Sequence, residues 1–401
     1  MKALRRLTIL AFSASLALFA APAMADEATG AAAALRAGDT PVATQAPARA
    51  RNVILFLADA AGVPTLSAAS LMAYGEPLRL HVQQWPHLGL SETSPVDAFV
   101  SDSANGMSAI VTGVKTRNGV ISQGPDAVRG RVDGTPTKTL LEYAEERGLL
   151  TGVISTQAIT DATPAANYAH SNDRAKWGEI FPQAFTPRFG DGVDVLFGAG
   201  RREIGEQLAT RGTSFDALSE AHDRPIYATL DETPHANPRP IVVAEEMDVH
   251  AATLRALDIL QGSDAGYFLV VEWDAHTDEP REGLQNMVDF DRLIAEVQSR
   301  VDLEDTLLIF TADHSFALQV DGGRRGEPLL EGYDAWKASG SEDEIVRLQN
   351  VIVNDTHTAE EVPVLAIGVG AERVRGYFPN TRLFQVMMDA WGWTSDAATP
   401  N

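Results

Sequence analysis

An acid and a hydroxyl stand side by side in FVSDSANGMSAIVTG, residues 99–113, where Asp102 precedes Ser103. Met107, Ile110, Val111 and Val114 then recur at helical spacing, so a helix begins near the serine and turns its free N–H groups toward whatever sits there. Most Asp and Ser residues at such a place cap the helix. A serine hydroxyl is a weak nucleophile unless a base or a metal activates it, and no Gly-x-Ser-x-Gly elbow signals a histidine-assisted triad. Metal activation remains, and the donors for it are present. TADHS (311–315) carries Asp313 and His314, DTHTAEEVP (355–363) carries His357, and EWDAHTDE (272–279) packs Glu272, Asp274, His276 and Asp278 into one loop. Carboxylates and imidazoles without thiolates suit Zn²⁺ or another divalent ion in an open catalytic site. Taken singly, each has a plainer reading: His314 as a satisfied core histidine, His357 as a loop residue, and 272–278 as a solvated acidic turn.

These residues need a scaffold that brings them together. Short apolar runs recur at NVILFLAD (52–59), LTGVIST (150–156), VDVLFGAG (193–200), GYFLVVEWD (266–274), TLLIFTADH (306–314) and VPVLAIGVG (362–370). Runs apolar on both faces belong to central strands of a parallel sheet covered by helices. Helical patterns at TKTLLEYAEERG (137–148) and QNMVDFDRLIAEVQSRV (285–301) lie between them. The alternation predicts an α/β fold, a three-layer sandwich with a central, mostly parallel sheet. Several strands end in a polar or metal-capable residue: Asp59, Thr156, Glu272 with Asp274, and Asp313 with His314. Ligands of open α/β sheets bind beyond the carboxyl ends of the strands, so these ends converge on a site.

Composition bounds the rest. Lys2, Arg5 and Arg6, an apolar stretch and Ala23-Met24-Ala25 form a secretory signal peptide over residues 1–25, with the cut between Ala25 and Asp26. The mature chain is therefore expected to be periplasmic or secreted, with no later stretch that would hold it in a membrane. Cleavage removes three basic and no acidic residues, moving the formal charge from −23 to −26. A chain so acidic is repelled by nucleic-acid phosphates. With no cysteine there is neither a disulfide framework nor thiolate chemistry, so any metal rests on His and carboxylates. Residues 26–50 read as a disordered lead-in, and the length that remains allows one large domain or two ordinary ones, with a short insertion at about 321–349. That insertion, helical and acidic in its second half, is expected to shape substrate access or a homodimer contact.

With these residues in view, the sequence resembles the alkaline phosphatase family, the metal-dependent phosphomonoesterases, from about Arg51 to the last strand. SDSANGMSAIVTGVKTRNGVI (101–121) is similar to the family's nucleophile segment through its TGVKT run, and STQAITDATPAANYAHSNDR (155–174) to the segment with the magnesium-site threonine and the phosphate arginine. NVILFLADAAG resembles the first strand and metal aspartate, with alanines at 58, 60 and 61 where glycine or a larger residue is usual. FGAGRREIG (197–205), TADHS and HTAEEVP also match, the last with Ala359 where the family usually has glycine. The resemblance implies that Ser103 is phosphorylated during turnover, that Arg174 clamps the phosphate and that Asp102 orients Arg174. It implies one zinc on Asp59, Asp313 and His314, a second on His357 with Asp274 and His276, and a magnesium-type ion on Asp59, Thr163 and Glu272. Asp278 is the alternative ligand in the loop. The implied substrates are small phosphate monoesters, and the implied organisation is a single catalytic domain over 51–401. Trp273 and Tyr168 stand where they could line a groove for a larger leaving group. A phosphodiesterase of the same superfamily, or an exported metal- or phosphate-binding protein without turnover, are the rival readings.

Overall fold

A computed structural model describes residues 49–340 and 345–395. The signal peptide, its cleavage site and the lead-in up to residue 48 lie outside the described residues. Ala50, expected at the end of the lead-in, is instead buried, and its N–H donates to the Ala390 carbonyl at 2.8 Å.

The strands are β1 (Asn52–Asp59), β2 (His87–Glu92), β3 (Leu150–Ala158), β4 (Val195–Ala199), β5 (Ile226–Tyr227), β6 (Ile241–Val243), β7 (Tyr267–Asp274), β8 (Thr306–Thr311), β9 (Ser315–Val320), β10 (Ile345–Arg347), β11 (Val351–Thr358), β12 (Val362–Gly368) and β13 (Gly376–Pro379). Ten of them form one sheet in the order β13-β2-β12-β8-β1-β7-β3-β4-β6-β5. All pairings in it are parallel except those of β12, which runs against both β8 and β2. The expected mostly parallel sheet is thus present, and the one reversed strand matters for the site. Because β12 runs backwards, the residues that precede it arrive at the edge where the other strands finish.

Strand β1 illustrates why the sheet is sandwiched. All eight residues of NVILFLAD are buried. Val53, Leu55 and Leu57 face a cluster with Met107, Ile110 and Val111, whereas Ile54, Phe56 and Ala58 face one with Leu284, Met287 and Phe290. The two-residue period of a strand delivers alternate side chains to two helical layers.

The helix predicted near Ser103 spans Ser103–Thr112, with every residue buried, and stops at Gly113 in the left-handed conformation (φ 73°). Val114 therefore lies beyond its end. The second predicted helix, 285–301, begins earlier, at Pro280, and runs as Pro280–Ser299; Glu279 accepts from the Glu282 N–H and so supplies the cap. The helix predicted at 137–148 is the shorter Leu140–Glu145, opened by a Thr139–Glu142 capping box. Among the described residues, no helix is long and apolar enough to cross a membrane.

The segment between His314 and His357 forms a second, three-stranded sheet in the order β10-β11-β9. β9 leaves directly from His314 and β11 returns antiparallel to it, pairing His357 with Phe316 and Thr358 with Ser315. The expected insertion is the outer part of this sheet with the helix Tyr333–Ser339, so its second half is part helix and part strand.

One close approach fixes the Ser103 helix against the step that follows β8. A Cβ at Gly106 would sit 2.6 Å from the backbone oxygen of Asp313. Gly106→Ala is expected to cost about 1–3 kcal/mol through this overlap despite alanine's better helix propensity. Gly205→Ala, where the nearest atom would lie at 3.4 Å, is expected to be neutral or mildly stabilising. Urea unfolding of the two variants checks the contrast.

Candidate functional site

The ends of β1, β7 and β8 lie side by side. Asp59 pairs in register with Asp274, and Leu57 with both Glu272 and Thr311. Asp313 and His314 end the three-residue step from β8 to β9, and the Ser103 helix points its first turn at the same place. Ser103 Oγ, 3 % exposed, lies 3.3 Å from both Asp59 Oδ2 and His314 Nε2. His314 Nε2 is in turn 3.3 Å from Asp59 Oδ1 and 3.5 Å from Asp313 Oδ2. Asp313 is anchored through its other oxygen, which accepts from the N–H groups of Ala60 (3.3 Å) and His314 (3.0 Å). Ala60 reaches that bond from the left-handed region (φ 68°), where an L residue is strained by roughly 1–2 kcal/mol, which is why a glycine would be at ease there.

The three imidazoles share one orientation logic. Nδ1 of His357 faces the Ser101 carbonyl at 3.0 Å, Nδ1 of His314 the Ser315 carbonyl at 3.3 Å, and Nδ1 of His276 the Asp274 carboxylate at 2.7 Å. Each Nδ1 faces an acceptor and so carries a proton, which makes Nε2 the nitrogen that offers a lone pair whenever the ring is neutral. The Nε2 atoms of His276 and His357 face each other at 3.4 Å, and the rings of His314 and His357 stack at 3.7 Å. Ligand atoms of His276, His314 and His357 lie within 4.8 Å of one another, as do those of Asp59, Asp313 and His314. Two donor groups sharing His314 thus converge beside Ser103.

A third set lies deeper. Glu272 is fully buried; its Oε2 accepts from Ser155, the residue it pairs with across β3 and β7. The Thr163 hydroxyl also faces the Glu272 carboxyl. Asp59 Oδ1, Asp313 Oδ2, Glu272 Oε1 and Thr163 Oγ1 are all buried without a hydrogen-bond partner. Buried polar atoms are normally paired, so four orphans around one pocket call for a cation.

The electrostatics agree. Burial, then the Asp313 charge, pushes the Asp59 carboxyl well above the usual range. Burial, then Asp161 and Asp313, pushes Glu272 up to about 8, against the Ser155 hydrogen bond. Burial and the neighbouring His357 and His276 bring His314 down to about 4 despite Asp313. Burial works against a charged His276, but Asp59, the Asp274 hydrogen bond and Asp313 outweigh it and raise the ring to about 10. Asp313 stays low because, against burial, His314 and the Ala60 N–H favour its ionised form. These are the responses of an apoprotein site with more negative charge than its own residues neutralise.

Asp102 performs two tasks. Its Oδ1 accepts from the Asn105 N–H at 3.0 Å, the helix cap, while Oδ2 accepts from the Gly119 N–H at 2.8 Å and from Arg174 Nη1 at 3.4 Å. Arg174 Nη2 donates to both oxygens of Asp161, at 3.0 and 3.3 Å. Against the cost of burial, Asp161, Asp102 and Asp59 hold the guanidinium charged. Sequence reasoning missed Asp161: an aspartate just before a helix reads as a cap. Here it stands at the N-cap of Ala162–Tyr168 but makes no capping bond.

The loop residues divide. His276 enters the imidazole group, Asp274 meets it only through His276, and Asp278 is exposed and in neither group. Tyr168 does not line a groove: it is 2 % exposed and its hydroxyl donates to the Ile159 carbonyl. Trp273 packs against Phe290, with ring centres 5.7 Å apart.

Comparison with known proteins gives the same picture. A family model described as alkaline phosphatase matches residues 50–223 and 244–346, a span that stops short of His357. The chain is 31 % identical to streptomycin-6-phosphate phosphatase of Streptomyces griseus, covering 89 % of this chain and 94 % of that one. It is 27 % identical to the human tissue-nonspecific isozyme of alkaline phosphatase, over 84 % of this chain and 83 % of the relative. Among solved structures, a variant of the alkaline phosphatase from the Antarctic bacterium TAB5, with Mg bound in its M3 site, superposes with a TM-score of 0.70 at 25 % identity, covering 87 % of this chain and all of that one. The Thermus thermophilus alkaline phosphatase shares the fold at a TM-score of 0.70, 21 % identity and 86 % coverage of this chain and 92 % of that one.

The two carboxylates on Arg174 separate by experiment. Asp102→Ala removes a cap and is expected to cost about 0.5–2 kcal/mol of stability. Asp161→Ala removes no cap, so its cost in chemical denaturation is expected to be smaller. Both variants are expected to weaken binding of inorganic phosphate, measured by calorimetry, because each frees one end of the guanidinium.

Proposed function

The chain belongs to the alkaline phosphatase family of metal-dependent phosphomonoester hydrolases, and we propose that it is an exported enzyme using Ser103 as the nucleophile on small phosphate monoesters. The observation that carries this reading is the set of lone pairs aimed at one pocket beside Ser103. His276 and His357 oppose Nε2 to Nε2 at 3.4 Å, and four buried polar atoms lack partners.

The donor set fits three cations. Asp59, Asp313 and His314 would hold one zinc, and His276 and His357 a second, with Asp274 adjoining. Asp59, Thr163 and Glu272 would hold a magnesium-type ion, whose all-oxygen donors suit a harder cation. When bound, such ions supply positive charge that favours an ionised serine and neutralises a departing alkoxide.

The chain's own residues do the rest. Ser103 Oγ forms a bond to phosphorus as the ester P–O bond breaks, giving a phosphoserine and the free alcohol; water then returns the serine and releases inorganic phosphate. The hydrogen bond toward Asp59 Oδ2 directs the hydroxyl proton away from the phosphorus, and the helix N-terminus favours the negative charge the group acquires. Arg174, pinned on both sides by carboxylates, presents its planar donors to the non-bridging oxygens. A monoester has more such oxygens than a diester, which favours the monoesterase reading. Export is read from the N-terminal signal pattern.

Hydrolysis of p-nitrophenyl phosphate tests the proposal. Activity is expected to vanish on chelation and return with Zn²⁺ and Mg²⁺, and to exceed that on bis-p-nitrophenyl phosphate and p-nitrophenyl sulfate. Ser103→Ala is expected to lower kcat by roughly 10³-fold or more while retaining metal. A fully active Ser103→Ala variant rules out the serine, and faster cleavage of the bis ester rules out the monoesterase.

A further inference from the structure

We propose that Asp274 is a positioning residue that serves the metal centre from behind His276, and is not itself a metal ligand. This rests on the metal-dependent reading above. Asp274 Oδ1 accepts twice from the residue two positions on: from the His276 backbone N–H at 3.1 Å and from the ring Nδ1 at 2.7 Å. That closure resembles the local turns in which an aspartate hooks the chain just after it. It engages the carboxylate with the face of the imidazole that points away from the metal pocket. Consistently, Asp274 is absent from both groups of converging donor atoms, whereas His276 belongs to one.

The surroundings hold this hook still. The Asp274 N–H donates to Thr156 Oγ1 at 3.0 Å, and the Ala275 N–H to the Asp59 carbonyl at 3.0 Å. On the far side, a Cβ at Gly283 would lie 1.8 Å from the His276 carbonyl oxygen, so the helix Pro280–Ser299 packs its first turn against the His276 backbone. With the backbone clamped on both sides, the Asp274 carboxylate decides which nitrogen carries the proton and where the ring turns. A carboxylate accepting Nδ1–H keeps the Nε2 lone pair free and makes it a better donor, a common outer arrangement at metal-binding histidines. The compact loop favours this solution: one residue separates the carboxylate from the imidazole, and Oδ1 is already saturated by His276. The metal on this side would then be held by the imidazoles of His276 and His357, with the Asp274 carboxylate behind the former.

The test uses the purified full chain, stripped of metal and titrated with Zn²⁺ against a chromophoric chelator, with bound metal counted by elemental mass spectrometry. Asp274→Asn keeps an oxygen able to accept the Nδ1 proton. It is expected to bind as many zinc ions as the parent, with affinity within several-fold. Asp274→Ala removes the acceptor and is expected to reach the same count at saturating zinc, with one binding step weakened by ~10–100-fold. His276→Ala is expected to lose that ion outright. If Asp274→Asn and Asp274→Ala each lose one ion as His276→Ala does, Asp274 is a ligand and the proposal is wrong. An Asp274→Ala variant with parental affinity also overturns it. Circular dichroism screens the variants for folding. If the alanine variant fails to fold, the asparagine variant decides: a full count supports the proposal and a lost ion overturns it. A parent chain that binds no divalent metal would instead overturn the metal-centre reading beneath it.

Discussion

Negative charge gathered at the ends of parallel strands is the constraint from which the rest of this structure follows. Asp59, Glu272 and Asp313 are nearly or wholly buried, close enough that each perturbs another's ionisation. Moving carboxylates out of water costs several kcal/mol each unless opposite charge compensates. Among the described residues, the guanidinium of Arg174 comes to the neighbourhood, and it is already shared between Asp102 and Asp161. Of the imidazoles, buried His314 is held neutral, and His276, raised to about 10, carries the charge that the acids recruit. Buried acids left so short of compensating charge fit the metal dependence of the family, and the Ser103 hydroxyl stands directly among them.

The architecture is economical in how it assembles this pocket. Parallel strands would carry every donor to one edge, but β12, reversed, lets His357 enter from the opposite chain direction. The small sheet of β9, β10 and β11 begins at His314 and ends just past His357, so one excursion supplies donors at both of its roots. The ring stacking of His314 on His357 follows from that closure. The Ser103 helix is set by backbone contact at Gly106, which ties the position of the hydroxyl to that of Asp313. Alkaline phosphatases of known structure share this fold.

Much of this could be read along the chain. Asp59, Asp313 and His314 stand where an apolar run stops, and Ser103 stands where a helical period starts; both are local signals. Other roles left no local trace. Asp161 looks like any helix cap, and its bond to Arg174 exists only in three dimensions. The loop after β7 has no periodicity, so spacing alone could not separate Asp274 from Asp278, or a ligand from the partner of one. The helix after that loop starts at Pro280, five residues before its apolar stripe becomes regular, because Glu279 caps it from outside the pattern. Tyr168, adjacent in sequence to the site's segment, is turned into the core by its hydrogen bond to Ile159.

The claim on which all of this stands is that divalent cations occupy the converging donors beside Ser103. A crystal structure of the purified protein, with anomalous data collected on both sides of the zinc absorption edge, measures that directly. The account predicts anomalous peaks within bonding distance of Asp59, Asp313 and His314 and of His276 and His357, with Ser103 Oγ adjacent. A zinc-loaded protein with no peak at those donors, or with zinc bound only elsewhere, would contradict it.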